Sequence, residues 1–189
     1  MRKWIIAMCA VAVLASCASF PSPEGPQSTL VVGNLRLEFP DGFFGMAPRT
    51  IENSIRLKFT DVTTETSFTV LTSGGGYFYF DANPGDTYRF ESWDGSSETS
   101  QGRVSLGPAM VGAQFPAVPG KIVYFPHLLF TFASPKRAQT TGENSSWHYK
   151  ISHSAESRPE EVRQFLLRNP EGMAWMSHDL VTVSFTRGQ

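Results

Sequence analysis

Apolar and polar residues alternate along most of this chain, and a period of two is the mark of half-buried β-strands. In residues 31–39, Val31, Leu35, Leu37 and Phe39 share one face while Asn34, Arg36 and Glu38 take the other. Ile55, Leu57 and Phe59 alternate with Arg56, Lys58 and Thr60, and Thr63-Thr64-Glu65-Thr66 then supplies a turn. Phe68 and Val70 continue the pattern in a further strand. Ser73-Gly74-Gly75-Gly76 interrupts it as a flexible turn, after which Phe78 and Phe80 resume with Tyr77 and Tyr79 opposite. Asn83-Pro84-Gly85-Asp86 is a strong turn signal, and beyond it Tyr88 and Phe90 alternate with Arg89 and Glu91.

The second half is less regular. Val104 and Leu106 mark a short strand, and Pro108, Gly112, Pro116, Pro119 and Gly120 predict a long connection over 107–120. Residues 121–133 are apolar on both faces, as in a strand that is central or covered by another element. Pro126 inside this run splits it into two strands or forces a bulge. Residues 134–146 are polar and predict a loop, after which Trp147, Tyr149 and Ile151 alternate with His148, Lys150 and Ser152. Ser157-Arg158-Pro159-Glu160 fits a capping box that opens a helix near 158–168. Val162, Phe165 and Leu166 form its apolar stripe, and Asn169-Pro170-Glu171-Gly172 ends it. Val181, Val183 and Phe185 close the chain in another alternating run. These elements predict an all-β fold, an antiparallel β-sandwich of about eight to ten strands with one helix in its C-terminal half. The helix would cover an open sheet edge or one end of the core.

The N-terminus has a different pattern. Arg2 and Lys3 precede an apolar run from Trp4 to Leu14. That run is too short to span a bilayer and has the layout of a secretory signal peptide. It ends in Leu14-Ala15-Ser16-Cys17, which resembles the lipobox of bacterial lipoproteins. The resemblance implies removal of residues 1–16, diacylglycerol on the Cys17 thiol, and enough acyl chains to hold the protein stably at a membrane. The alternative is an ordinary secreted signal with a chance cysteine at its end. Ala18 and Ser19, rather than Asp, follow the cysteine. By analogy that implies an outer-membrane address in the bacterial cell envelope, on the periplasmic or surface face. Residues 17–28 would then be the lipidated Cys and a flexible tether, with three prolines, a glycine and no aliphatic side chain larger than alanine. Residues 29–189 would form the sandwich domain.

A second resemblance covers residues 51–93. Thr72, Gly76, Phe78 and Phe80, followed by Pro84, Gly85 and Tyr88, are similar to the strand and turn pattern of transthyretin-like, or carboxypeptidase-regulatory-like, sandwich domains. One extra residue precedes the glycine and one precedes the tyrosine. The resemblance implies a fold and no chemistry, because many members of that family serve as accessory or binding modules. Gly85 would accept a positive φ in the turn, with Pro84 fixing φ ahead of it. Phe78, Phe80, Tyr88 and Phe90 would pack across paired strands.

Charge and composition narrow the function further. The chain of 189 residues has 16 Lys and Arg against 17 Asp and Glu. Loss of Arg2 and Lys3 with the signal leaves 14 against 17, a net charge of −3. Such a balance offers no basic field for nucleic acid. Of the two cysteines, Cys9 would leave with the signal and Cys17 would carry lipid, so the mature domain would have no disulfide.

The four histidines are His127, His148, His153 and His178, and no two are spaced i, i+2 or i, i+4 as zinc ligands on one element would be. No Gly-x-Ser-x-Gly elbow is present. The Gly74–Gly76 run has no following Lys-Ser/Thr and so is no phosphate loop. Asp41, Asp61, Asp81, Asp86 and Asp94 fall mostly at strand ends, where a carboxylate caps its own turn. A glycosidase pair would need two of them facing across a cleft.

Three aromatics are candidates for ligand or partner contact. Tyr77, Tyr79 and Trp93 are not readily placed in the core, and Tyr77 and Tyr79 would face away from Phe78 and Phe80. Exposed, they could stack on a sugar or fill a partner's pocket. Alternatively, the helix or the 107–120 connection covers that face. The sequence therefore predicts a lipid-anchored envelope protein, without cofactor or metal, acting as a non-catalytic accessory or protein-interaction module with an envelope protein as partner. Carbohydrate or apolar-ligand binding through the aromatics is the alternative, and a hydrolase with a spatially assembled site is the third.

Overall fold

The computed structural model describes residues 20–40, 47–95, 113–133, 150–183 and 186–187. The signal segment 1–16, Cys17, the strand expected at Val104 and Leu106, the loop 134–146 and Trp147 lie outside them. In chain order the strands are β1 (Thr29–Phe39), β2 (Arg49–Ile51), β3 (Ile55–Asp61), β4 (Thr66–Leu71), β5 (Tyr77–Ala82) and β6 (Thr87–Gly95). After them come β7 (Ala113–Pro116), β8 (Lys121–Ala133), β9 (Lys150–Glu156), helix α1 (Pro159–Arg168), a 3-10 segment (Gly172–Ser177), β10 (Asp179–Thr182) and β11 (Thr186–Arg187). The fold is all-β with one α-helix, as expected.

Two sheets face each other. In the first, the long strands β1 and β8 lie side by side and each carries two shorter strands on its far edge: β5 and β2 on β1, β10 and β9 on β8. The second runs β11-β7-β6-β3-β4. The expected antiparallel sandwich is corrected to a mixed one, because β1–β8 and β8–β10 pair in parallel. A parallel pair requires a long crossover. Strands β2–β7 intervene between β1 and β8, and α1 lies between β8 and β10. The 107–120 connection contains β7, so it contributes a strand to the second sheet.

The space between the sheets is filled mainly by phenylalanine. Phe59 is fully buried, with the rings of Phe68, Phe78, Phe80 and Phe90 centred 5.1–5.9 Å away. Phe115 and Phe125 meet it edge-on at 6.2 Å. Such offset and edge contacts are the favoured aromatic geometries. Gly33 on β1 leaves room for this cluster, since a Cβ there would lie 2.4 Å from Cζ of Phe78. The turn at Asn83–Asp86 forms as expected, with Gly85 at φ 88° and the Asp86 N–H donating to the Asn83 carbonyl. Its flanking strands are not a hairpin, however. It carries the chain from the first sheet to the second, so Phe80 and Tyr88 meet across the interior at 5.4 Å.

Two bulges decide which residues reach that interior. Opposite Gly33 and Asn34, β8 presents Phe125 and His127, so Pro126 is the extra residue. This is the bulge alternative for Pro126, in one continuous strand. It shifts the inward phase from Val123 and Phe125 to Leu128, Phe130 and Phe132. The second bulge lies in β6, where Lys58 and Phe59 oppose Ser92 and Phe90, leaving Glu91 extra. Beyond it Trp93 turns inward with Tyr88 and Phe90.

Candidate functional site

The outer face of the first sheet is covered by a second apolar layer. Leu30 and Val32 of β1 and Ile122 and Tyr124 of β8 point away from the inter-sheet core and meet Val162 and Leu166 of α1, Trp175 and Phe20. The stripe expected on the helix is the face it buries. The capping box is not formed, because Arg158 is the N-cap residue and no side chain caps the first turn. Tyr124 takes over that task. Its hydroxyl accepts the Arg158 N–H at 2.8 Å and donates to the Glu156 carbonyl at 3.1 Å, joining the end of β9 to the start of α1.

Residues 20–28 are bound into this layer. Phe20 is buried and its ring lies 4.3 Å from that of Tyr79. The indole Nε1–H of the fully buried Trp175 donates to the Pro21 carbonyl at 2.6 Å. Ser28 Oγ accepts the N–H groups of Glu24 and Gly25, and the Gly120 N–H donates to the Gln27 carbonyl. The flexible tether expected over 17–28 is therefore corrected from Phe20 onward. Its one large apolar side chain is the signal that the proline-rich composition concealed.

The three candidate aromatics fall into two environments. Tyr77 and Tyr79 do face outward from the sheet, where α1 and Phe20 cover them. Tyr77 stacks on Phe165 at 4.1 Å with the rings 10° from parallel, and its hydroxyl donates to the Glu161 carbonyl at 3.3 Å. Burial pushes the phenols of Tyr77, Tyr79 and Tyr124 up, so they stay neutral at physiological pH. Trp93, a candidate for ligand or partner contact, is instead 3% exposed and packs on Phe130 and Phe132 at 5.4 and 6.0 Å. The Glu91 bulge reverses its face.

Beside the helix the sheet gathers polar groups that the sequence did not single out as a cluster. His127 is 8% exposed and sits edge-on to Tyr77 and Tyr124. Its Nδ1 lies 3.7 Å from Oε2 of Glu161, beyond hydrogen-bond range, and its Nε2 has no hydrogen-bond partner among the described residues. Burial pushes its pKa down to about 4, against the opposing pull of Glu161, so it is a neutral imidazole at pH 7. Arg158 is held by Glu156 and Glu161. Arg36 Nε lies 3.4 Å from Oε1 of Glu52. Asn34, buried, donates from Nδ2 to the Gly75 carbonyl at 2.6 Å. The glycine run is thus tied to β1, where the sequence suggested a flexible turn.

Two clefts adjoin at Arg36. One, of about 140 Å³, is lined by Asn34, Arg36, His127, Ser154 and Arg158. The other, of about 720 Å³, is lined by Arg36, Tyr77, Gln164, Phe165, Arg168 and Asn169. Among the described residues no cluster of three or more His, Cys, Asp or Glu could hold a metal ion. Asp61 acts as turn capping predicts. Its Oδ1 accepts the N–H groups of Thr63 and Thr64, and although burial pushes the carboxyl up, these bonds outweigh it and hold it below the usual range. No protein-family model matches the chain, and no curated protein matches it.

Proposed function

We propose that the protein is a bacterial envelope lipoprotein, anchored through Cys17 at the outer membrane and working as a non-catalytic accessory or protein-interaction module. The observation that carries this reading is the arrangement at the chain start. A signal-like segment ends in Leu14-Ala15-Ser16-Cys17, and three residues later the chain is already packed into a folded body through Phe20. The non-catalytic part rests on how the outer-face polar groups are used. Tyr124 and Asn34 hold backbone, Glu156 and Glu161 hold Arg158, and His127, with its pKa about 4, is poorly matched to proton transfer near neutrality.

In-cell crosslinking followed by purification of the tagged, lipidated protein tests the reading. It predicts a reproducible envelope-protein partner that is lost when exposed residues of the domain are altered. Recovery of the anchored domain alone would contradict a protein-interaction role. A second reading, carbohydrate binding, is favoured by the cleft of about 720 Å³ beside Tyr77, whose walls offer Arg36, Gln164, Arg168 and Asn169 to hydroxyl groups. Glycan binding that is abolished by Gln164→Ala would move the assignment there.

A further inference from the structure

We propose that the helical layer formed by α1 and the 3-10 segment lies directly against the lipid headgroups, with the second sheet facing away from the membrane. This rests on lipidation at Cys17. Three peptide units separate Cys17 from Phe20, and a fully extended chain covers at most about 3.6 Å per residue, so the lipidated cysteine sits within about 11 Å of Phe20. Phe20 is no free end. It is buried against Tyr79 and near Phe165, and Trp175 holds the Pro21 carbonyl beside it. A docked residue on so short a lead draws its own layer to the bilayer surface, since a helix is itself about 10–12 Å across.

The surface of that layer is consistent with lipid contact. Among the described residues three large apolar side chains are exposed, Leu71, Leu167 and Met173, and two of them belong to α1 and the 3-10 segment. Met173 lies two residues before Trp175. The charges over residues 159–177 are mixed, with Arg163 and Arg168 against Glu160, Glu161 and Glu171. The layer is therefore placed by its short lead and apolar contact rather than by attraction to anionic lipid. Leu71, the third, lies on the edge strand β4 of the second sheet, out of phase with the inward Phe68 and Val70, and so points away from both the core and the helical layer.

Lipidation of Cys17 and removal of Cys9 leave the mature chain without a thiol of its own, so one engineered cysteine can carry an environment-sensitive dye. Met173→Cys and Leu71→Cys both replace exposed side chains and should fold. Each lipidated, full-length variant is labelled and reconstituted in phosphatidylethanolamine/phosphatidylglycerol vesicles containing brominated lipid. The proposal predicts quenching at 173 at least threefold greater than at 71, unchanged by 0.5 M salt, and a fall of that contrast when Phe20→Ala frees the lead. Equal quenching at the two positions in protein shown by intact mass to carry lipid overturns the orientation while leaving the anchor standing. A contrast that survives Phe20→Ala overturns docking of Phe20 as its cause. A chain that carries no lipid overturns the anchor and the orientation together.

Discussion

The inter-sheet core and the helix-side layer are built on opposite principles. The first is filled almost entirely by strand residues in a period of two, centred on Phe59, whose neighbouring rings meet in edge and offset contacts. Of its rings, Tyr88 adds a polar bond, its hydroxyl accepting the Asn83 N–H at 2.9 Å. The second is assembled from separate stretches of chain: Phe20, β1, β8, α1 and the 3-10 segment supply its buried residues, and Tyr77 and Tyr79 of β5 and Leu180 of β10 pack against them. It is pinned by polar bonds from aromatic side chains, namely Tyr124 to Arg158 and Glu156, Tyr77 to Glu161, and Trp175 to Pro21. The comparison teaches that one sheet supports two kinds of interior. Protonation of His127 or loss of Phe20 is expected to act on the face closed by the helix and to leave the face closed by the second sheet largely unchanged.

The largest effect should come from the first interior. Phe59→Ala removes the ring that every neighbour touches and is expected to cost about 3–5 kcal/mol, read as a drop in urea midpoint with m unchanged. A loss below 1 kcal/mol would mean that the interior collapses freely around the gap. The second interior should instead respond to acid through His127. Its ordinary pKa of 6.5 falls to about 4 in the folded protein. Between these values the unfolded chain binds the extra proton, so stability falls as the pH drops from about 6.5 to about 4. The loss is on the order of 3 kcal/mol. Urea titrations at pH 7 and pH 4.5 should show this loss in the parent and a much smaller one in His127→Gln. Equal slopes would break the contrast between the two faces.

Phe20→Ala should cost less than Phe59→Ala, about 1.5–3 kcal/mol, because a chain end can peel away without leaving a sealed cavity. Amide exchange should then accelerate in α1 and around Trp175 and stay slow in β3 and β6. Uniform acceleration would show that the layer and the core unfold as one. The smallest effect is expected at the β3–β4 turn. Asp61→Ala removes the oxygen that accepts two N–H groups and should cost about 0.5–2 kcal/mol, by analogy with a lost helix cap. Asp61 has a lowered pKa, so its contribution is present above the ordinary carboxylate value and disappears as the pH falls through the folded one. The variant should therefore narrow its deficit relative to the parent at pH 3.

The first interior was far more legible in the sequence than the second. Alternation placed Val31, Leu35, Leu37, Phe39, Ile55, Leu57 and Phe59 on their buried face, because strand geometry alone decides which way they point. A bulge breaks that inference by inserting one residue. Pro126 announces its bulge by lacking an N–H, whereas Glu91 carries no such mark, so the inward turn of Trp93 was not readable in the sequence. The parallel pairing of β1 with β8 joins residues about ninety apart, and no local pattern encodes it. On the helix side the stripe Val162, Phe165, Leu166 was readable. The gathering of Tyr124, His127 and Arg158 was not, because it depends on β8, β9 and α1 meeting in space. Phe20 was hidden by its proline-rich company.

The account turns on the anchor at Cys17. Its most direct test is intact mass analysis of the protein purified from membranes, for the parent and Cys17→Ser. The account predicts a parent chain that begins at Cys17 and carries acyl chains and diacylglycerol, with Cys17→Ser either uncleaved or released as a soluble, lipid-free form. A parent chain without lipid, or a Cys17→Ser variant that partitions into detergent as the parent does, would contradict it.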